Sequence, residues 1–373
     1  MIQSQKLVSP AVWFFYAVIV FEFLFMITPF ALYFYSAYAP ALNVLNSSPY
    51  TAWLTGFFLP HFSQTRSSLL PFLNAAGWWL AYFGLALFLL SAIQLYGSKL
   101  LRRDSVDSIF YRYVRHPQYL ALAILGLGTT LIWPRFFVLI TFVTMLFLYR
   151  ILARIEEKNC LRKYGPSYGE YLLKTAMFLP RLTPRKSDQT ALRQVSHPAW
   201  FGLMMYVIVL TAAVVSGLGL REHMLDKVSA IYQDRRAIIS PALLPGPELL
   251  DIYQVAATVP DVGLYSAAAS PPLLVYVVPG EWYLPDLPLD SHELVRQRGG
   301  HGTPTQFKRQ HYRVLFTSIR SHSQQARGRD ILRKAYAFNP LLLVDVDMKS
   351  RIVTDVSEPP GSVVWGDISP PLF

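Results

Sequence analysis

Apolar stretches of membrane-spanning length constrain this chain more than any other feature. Five of them approach the ~20 residues that a helix needs to cross a bilayer, and they occupy residues 11–38, 70–96, 119–133, 136–153 and 200–220. Charged residues make up only 15% of the chain, against about 25% in an ordinary soluble domain. The sequence therefore predicts an all-α polytopic membrane domain with about five transmembrane helices.

The basic residues predict which side of the membrane each loop occupies. The chain has 34 Lys and Arg residues against 23 Asp and Glu residues, and the whole excess lies before residue 220. It concentrates in the loops 99–115 and 154–193, which the positive-inside rule places in the cytoplasm. The segments then expected on the extracytoplasmic side are 40–68, 134–135 and 221–373.

Composition divides the chain into four parts. They are a membrane domain at 1–180, a polar cytoplasmic linker at 181–198, a fifth transmembrane helix at 199–220 and an extramembrane domain of unknown role at 221–373. Residues 220–373 carry 16 basic and 16 acidic side chains. A nucleic-acid-binding domain needs a basic face, so no nucleic acid is expected as a partner.

The extramembrane domain has the pattern of a small α+β fold. Alternating and β-branched apolar runs predict strands at 273–280, 311–319 and 341–356, the last a hairpin that turns at 348–350. Helical periodicity predicts helices at 247–258 and 323–337. The apolar and aromatic stretches at 280–290 and 363–373 are expected to be exposed, where they could dock a membrane-complex partner.

Polar residues that could carry chemistry cluster in the segment 111–180. The helix that begins at Phe136 is predicted to continue to Tyr164, about 43 Å at 1.5 Å per residue, and so to project beyond the bilayer. A capping box follows, with Ser167 as N-cap and Glu170 three residues on. Because the third and fourth spans form a tight hairpin, two distant pairs are expected at the same depth: Arg115-His116 and Glu156-Glu157.

Each of these features also has a purely structural explanation. Arg115-His116 could anchor lipid headgroups, and the paired glutamates could be a solvated helix end. Gly126 and Gly128 could serve helix packing, and the tyrosines at 164, 168 and 171 could form an interfacial belt. Together, however, the cations and carboxylates match a ligand such as S-adenosylmethionine, which carries a carboxylate, an ammonium group and a ribose diol. The two glycines would then allow its close approach.

The segment resembles the isoprenylcysteine carboxyl methyltransferases and their relatives, the phospholipid methyltransferases. The resemblance lies in Arg115-His116-Pro117-Gln118-Tyr119, in Glu156-Glu157 followed by Leu161, and in Tyr164-Gly165 with the paired Tyr168 and Tyr171. It implies an integral membrane methyltransferase that uses S-adenosylmethionine, with a cytoplasmic cofactor site. The implied cofactor-binding positions are Arg115, His116, Tyr119, Glu156 and Glu157. Ala121 departs from the family pattern, which has glycine there.

The resemblance leaves the acceptor and the activity open. A site at the bilayer rim suggests a membrane lipid or a lipidated acceptor, such as a prenylcysteine-type carboxylate. Arg154 is the candidate for orienting an anionic acceptor, and Glu157 or Tyr168 for a general base. A catalytically inactive scaffold subunit and a nicotinamide-dependent membrane reductase are the alternatives. The histidines have no metal-ligand spacing, so no metal is expected.

Overall fold

The computed structural model describes residues 10–61, 63–100, 110–179, 199–265, 271–291, 293, 297, 302–321, 325–362 and 369–373. The predicted linker at 181–198 lies outside these residues. The chain forms two compact units. The first, here called the helical unit, comprises Met1–Ser36, Asn74–Ile132 and Ile140–Ala212, and the second, the sheet unit, comprises Ala37–Leu73, Trp133–Leu139 and Ala213–Phe373.

The five predicted apolar helices are all present. They are α1 (Pro10–Tyr35), α3 (Leu69–Leu100), α4 (Pro117–Ile132), α5 (Phe136–Tyr164) and α7 (Ala199–Leu225), with the shorter α2 (Ala39–Asn46) and α6 (Pro166–Lys174) between them. Among the described residues, α3, α5 and α7 are long and apolar enough to cross a bilayer, and α1 with α2 is a bent fourth candidate. Helix α4 has only 16 residues, so the count of five spans stays a prediction.

The break between α5 and α6 falls at Gly165. Its φ of 62° lies in the left-handed region, which glycine adopts without strain. Gly165 is the N-cap of α6 and Pro166 is the first helical residue, a position that tolerates the missing N–H of proline. The predicted capping box is therefore wrong: Ser167 already lies inside the helix and donates a hydrogen bond of 2.9 Å to the Tyr164 carbonyl.

Helices α3 and α4 pack closely through glycines. A Cβ atom on Gly128 would lie 2.4 Å from the backbone nitrogen of Ala81, and one on Gly84 would lie 2.4 Å from that of Leu125. Both distances are shorter than any side chain can accept. Small residues let helix backbones approach in this way inside a membrane, so these two glycines set the distance between α3 and α4.

A buried hydroxyl cluster joins α1 to α4. The Tyr33 hydroxyl donates to the Gly126 carbonyl at 2.7 Å, and it lies 2.7 Å from Thr129 Oγ1 and 2.8 Å from Thr130 Oγ1. Both threonine hydroxyls also donate to the Gly126 carbonyl. A bilayer core offers no water to satisfy such groups, so the cluster holds the two helices together.

Six strands of the sheet unit form one mixed sheet in chain order. They are β1 (Ser229–Gln233), β2 (Arg236–Ser240), β3 (Leu273–Pro279), β4 (His311–Ser321), β5 (Ala335–Asp347) and β6 (Ile352–Ser357). Only β2 and β3 run parallel. The chain crosses between them through α8 (Gly246–Ala256) and α9 (Pro260–Tyr265). The predicted strands and the helix at 247–258 are confirmed.

Two features of the sheet unit differ from the sequence prediction. The helix predicted at 323–337 is wrong, because among the described residues of this stretch only α10 (Asp330–Lys334) is helical and β5 begins at Ala335. Pairing of Ala335 with Ser321 and of Ala337 with Arg320 on β4 holds the end of the stretch extended. The hairpin of β1 and β2 was not predicted, because its turn at Asp234-Arg235 lacks the Asn or Gly that usually marks such turns.

The segment 280–290 lies in the core of the sheet unit. Trp282, Leu284 and Leu287 are at most 3% exposed, and Leu372 and Phe373 are each 1% exposed. The expectation that these apolar residues form an exposed docking surface is therefore wrong for the described residues. Their side chains instead cover the sheet, and residues 363–368 lie outside the described part of the chain.

The loops before α3 and before α5 belong to the sheet unit. Arg135 is buried, pairs with Asp286 at 3.4 Å and donates to the Thr55 carbonyl at 2.5 Å. Its guanidinium carbon also lies 3.8 Å from the centre of the Phe57 ring. The backbone of Gln64 donates to the Pro241 carbonyl at 2.7 Å. These contacts tie the C-terminal sheet to both loops.

Candidate cofactor site

Two extended segments of the helical unit pair just before α4 and just after α6. Val114 forms a parallel bridge with Ala176. The backbone of Arg115 donates to the Ala176 carbonyl at 2.8 Å, and that of His116 donates to the Met177 carbonyl at 3.2 Å. This pairing fixes the direction of both cationic side chains. The sequence prediction did not include it, because nothing local in the residues 175–178 marks a strand.

The guanidinium of Arg115 joins three parts of the site. Its Nε donates to Glu157 Oε1 at 2.6 Å, and its Nη1 donates to the carbonyls of Leu172, at 3.0 Å, and Thr175. The side chains of Arg115 and Glu157 are only 10% and 4% exposed. Helix α5, the segment before α4 and the end of α6 are therefore connected through one buried ion pair.

The imidazole of His116 lies between the two glutamates. Its Nε2 is 3.3 Å from Glu157 Oε1 and its Nδ1 is 3.4 Å from Glu156 Oε2. Burial by itself disfavours the imidazolium, but the two carboxylates outweigh burial and raise the pKa of His116 above its ordinary value. The charged form, in which both ring nitrogens donate, is the form that this geometry favours.

Glu156 is the accessible carboxylate of the cluster. Its side chain is 45% exposed, and its Oε1 accepts a hydrogen bond from the Tyr119 hydroxyl. The Tyr119 ring stacks on His116, with 5.5 Å between ring centres, and on Tyr149, with 4.7 Å. One edge of the cluster is thus a carboxylate open to the surroundings, beside a stack of aromatic rings.

Side chains that were not among the predicted cofactor-binding residues support the site. The Tyr171 hydroxyl donates to the Tyr111 carbonyl at 2.7 Å. Gln118 donates through Nε2 to the Tyr111 hydroxyl, and the Phe178 ring lies 6.0 Å from His116. The tyrosine spacing was the available signal for Tyr171, whereas Tyr111 and Phe178 become partners only through the folded hairpin.

The remaining predicted site residues, except Tyr168, lie apart from this cluster in their described contacts. Gly126 and Gly128 contact neighbouring helices, as described above, and the buried Ala121 lies beside Gly84. Arg154 is exposed on α5. Tyr168 packs on Tyr171, with 5.7 Å between ring centres, and burial raises its pKa, so its phenol stays neutral. The predicted roles of these residues remain predictions.

The fold and the cluster define a helical, membrane-type domain that carries a polar site near the ends of its helices. Residues 91–167 match the family model of phospholipid methyltransferase, over about a fifth of the chain. The resemblance deduced from the motifs is therefore confirmed for this segment. It includes Arg115, His116, Tyr119 and both glutamates but ends before the segment 172–178. No curated protein and no solved structure matches the chain.

Proposed function

We propose that the protein is an integral membrane methyltransferase that takes its methyl group from S-adenosylmethionine and acts on a lipid or lipidated acceptor. The observation that carries this proposal is the imidazole of His116 between two glutamates, one buried and one half-exposed. The family match over residues 91–167 supports the reaction class.

The charged and aromatic groups of the site fit the cofactor. Glu156 can accept hydrogen bonds from an ammonium group or from ribose hydroxyls, and the His116 imidazolium, whose two N–H groups face the glutamates, places a positive charge beside this carboxylate. The stacked rings of Tyr119 and Tyr149 offer an apolar surface beside these charges. A half-exposed carboxylate next to a buried cation therefore matches a zwitterionic amino-acid group joined to a nucleoside.

S-adenosylmethionine, when bound, would supply an electrophilic methyl group on its sulfonium. The protein then has to hold the acceptor in line with that methyl group and exclude water. Glu157 is committed to an ion pair and Tyr168 is held neutral, so neither is well placed as a base. This arrangement favours an acceptor that needs no deprotonation, such as a carboxylate. The exposed Arg154, three residues before Glu157, is positioned to attract it.

We also propose that the site faces the cytoplasm and the sheet faces the opposite side. The sheet unit contains both loops that the charge pattern placed outside, at Ala37–Leu73 and Trp133–Leu139, together with the C-terminal part of the chain. These segments contact one another, which supports a common side. A reporter that is active only outside the cytoplasm, fused after Phe373, should be active, and activity of a cytoplasmic reporter would contradict the topology.

Binding of the demethylated product, S-adenosylhomocysteine, to the detergent-purified protein tests the function. We expect Glu156→Gln and His116→Ala each to weaken binding by roughly tenfold or more, because the first removes the charged acceptor for the ligand and the second removes the cation that orients that acceptor. The matched control is Glu170→Gln, since Glu170 is 72% exposed and pairs only weakly with Lys174 at 3.5 Å. This variant should bind like the wild type.

Transfer of labelled methyl from S-adenosylmethionine into an organic extract of membranes tests the acceptor class. Label in the lipid phase that depends on His116 supports a lipid or lipidated acceptor. A wild-type protein that binds neither S-adenosylmethionine nor S-adenosylhomocysteine would contradict the proposal and return the scaffold alternative to first place.

A further inference from the structure

We propose that Arg115 and Glu157 are positioning residues that hold the site in shape, and that Glu156 is the carboxylate that touches the cofactor. The assignment rests on the proposed function. It separates two adjacent glutamates that the sequence presents as one motif, and it removes Arg115 from the set of direct cofactor ligands.

The contacts of Arg115 are the first argument. Its side chain is 10% exposed, and its Nε and Nη1 already donate to Glu157 and to the carbonyls of Leu172 and Thr175. A ligand carboxylate at Nε would have to displace a buried ion pair of 2.6 Å, and a side chain that is 10% exposed leaves little room for a ligand at Nη2. Removing one partner of such a pair leaves the other charge buried and unpaired, which is strongly unfavourable.

The two glutamates face different surroundings, and this is the second argument. Successive residues on a helix point about 100° apart, so the neighbours cannot share one direction. Glu157 is 4% exposed and lies against Arg115, whereas Glu156 is 45% exposed. Only Glu156 combines a free approach with a carboxylate already oriented, because the Tyr119 hydroxyl donates to it.

Glu157 also orients the imidazole. Its Oε1 lies 3.3 Å from His116 Nε2, so the opposite ring nitrogen points toward Glu156 and the open edge. The charged and titratable groups that face His116 are Arg115 from its own segment, Tyr119 from α4, and the two glutamates from α5. Phe178 covers it without a charge. Loss of the Glu157 charge would make the imidazolium less favourable.

Two isosteric variants of adjacent residues form the first test. Glu157→Gln should lower the thermal unfolding midpoint of the ligand-free, detergent-purified protein by on the order of 5 °C, and Glu156→Gln should change it much less. In return, Glu156→Gln should lose binding of S-adenosylhomocysteine by at least about tenfold. The proposal is overturned if Glu157→Gln keeps the wild-type midpoint while losing binding to the same extent.

The pH profile of binding separates positioning from mere support of the fold. Binding should weaken as the pH rises through the pKa of His116. In Glu157→Gln this loss should occur at lower pH, because one carboxylate no longer favours the imidazolium. An unshifted profile with a lowered midpoint would mean that Glu157 supports the fold alone, and would contradict its positioning role.

A second variant, Arg115→Lys, keeps the charge and tests the arginine directly. This variant should weaken the binding of S-adenosylhomocysteine and the binding of methylthioadenosine by the same factor. Methylthioadenosine is a nucleoside thioether without the amino-acid group. If Arg115 holds the ligand carboxylate, only S-adenosylhomocysteine will bind less well, and the assignment is wrong. Should the wild type bind neither ligand, the proposed function fails, while the contrast in unfolding midpoints still decides which glutamate is structural.

Discussion

Each of the two units buries an arginine against a carboxylate, but the two pairs have different neighbours. In the helical unit Arg115 meets Glu157, and the half-exposed Glu156 lies beside them. In the sheet unit Arg135 meets Asp286, and the neighbours are an aromatic ring and a backbone carbonyl. Both pairs are almost equally buried. A buried ion pair therefore does not by itself mark a functional site, and the accessible Glu156 is what distinguishes the candidate site.

The electrostatic consequence differs in the same way. Burial lowers the pKa of Arg135 to about 10, although the Asp286 carboxylate opposes the change. The arginine is still charged at neutral pH, so no proton is exchanged there. At His116 the carboxylates outweigh burial and raise the pKa above its ordinary value. Of these two ion pairs, the one in the helical unit is therefore the one that lies against an imidazole.

The largest expected effect breaks the pair in the sheet unit. Arg135→Met should lower the free energy of unfolding by about 3–5 kcal/mol, because the buried Asp286 carboxylate loses the cation beside it. Hydrogen exchange of the full-length protein in detergent should show the loss in β3 and β4, the central strands. In this variant, the protection of β3 and β4 should change more than the binding of S-adenosylhomocysteine.

The control for this prediction removes both charges. Arg135→Met combined with Asp286→Leu should recover most of the stability, because replacing a buried ion pair by apolar side chains is often neutral. An equal loss of stability in the single and double variants would contradict the explanation that Asp286 needs the Arg135 cation. It would place the importance of Arg135 in its contacts with the Phe57 ring and the Thr55 carbonyl instead.

A smaller effect is expected for the hydroxyl cluster of the helical unit, which is polar and buried but fully paired. Tyr33→Phe removes the hydroxyl that contacts Gly126, Thr129 and Thr130, and should lower the free energy of unfolding by about 1 kcal/mol. Tyr82→Phe is the matched control, since Tyr82 is 63% exposed on α3. Chemical unfolding in detergent measures both. Equal losses in the two variants would mean that the cluster does not join α1 to α4.

The candidate site was more predictable than the fold of the sheet unit, and the reason is physical. The two helices of a hairpin run side by side, so residues at its two open ends lie at the same depth in the membrane. This is why the position of Arg115-His116 next to Glu156-Glu157 could be predicted. Strand pairing depends on partners far along the chain. The end of the predicted helix at 323–337 therefore became part of β5, and the pairing at 175–178 could not be expected from its own residues.

The local sequence pattern also could not predict which loop residues become buried. The segment 280–290 has two prolines and no helical or strand period, so its apolar residues suggested a surface. In the fold, Trp282 and Leu284 complete the core and Asp286 meets Arg135. The different exposure of Glu156 and Glu157 was also hidden, because two adjacent identical residues differ only in the direction that the helix gives them.

The smallest expected effect concerns a carboxylate of the sheet unit that, unlike Asp286, has a like charge opposite it. Asp345 on β5 pairs directly with Asp355 on β6. Burial raises the pKa of Asp345, and Asp355 and Asp290 add to the rise against the opposing effect of Arg313. A carboxyl with a raised folded-state pKa stabilises the fold when protonated, and this contribution is lost as the pH rises through that pKa.

Asp345→Asn should therefore raise the free energy of unfolding at neutral pH by about 0.5 kcal/mol, and the difference should shrink as the pH falls toward the pKa of the unfolded chain. Asp347→Asn on the same strand is the matched control, and its effect on stability should have the opposite sign. Its carboxylate accepts a hydrogen bond from the Lys349 backbone at 2.7 Å; although burial opposes it, the net pKa is lowered, so this variant should be less stable at neutral pH. Unfolding measured across pH checks both signs. If both variants lose stability, the charge of Asp345 is compensated in the fold. Asp345 would then be as well paired in the sheet unit as Glu157 is in the helical unit.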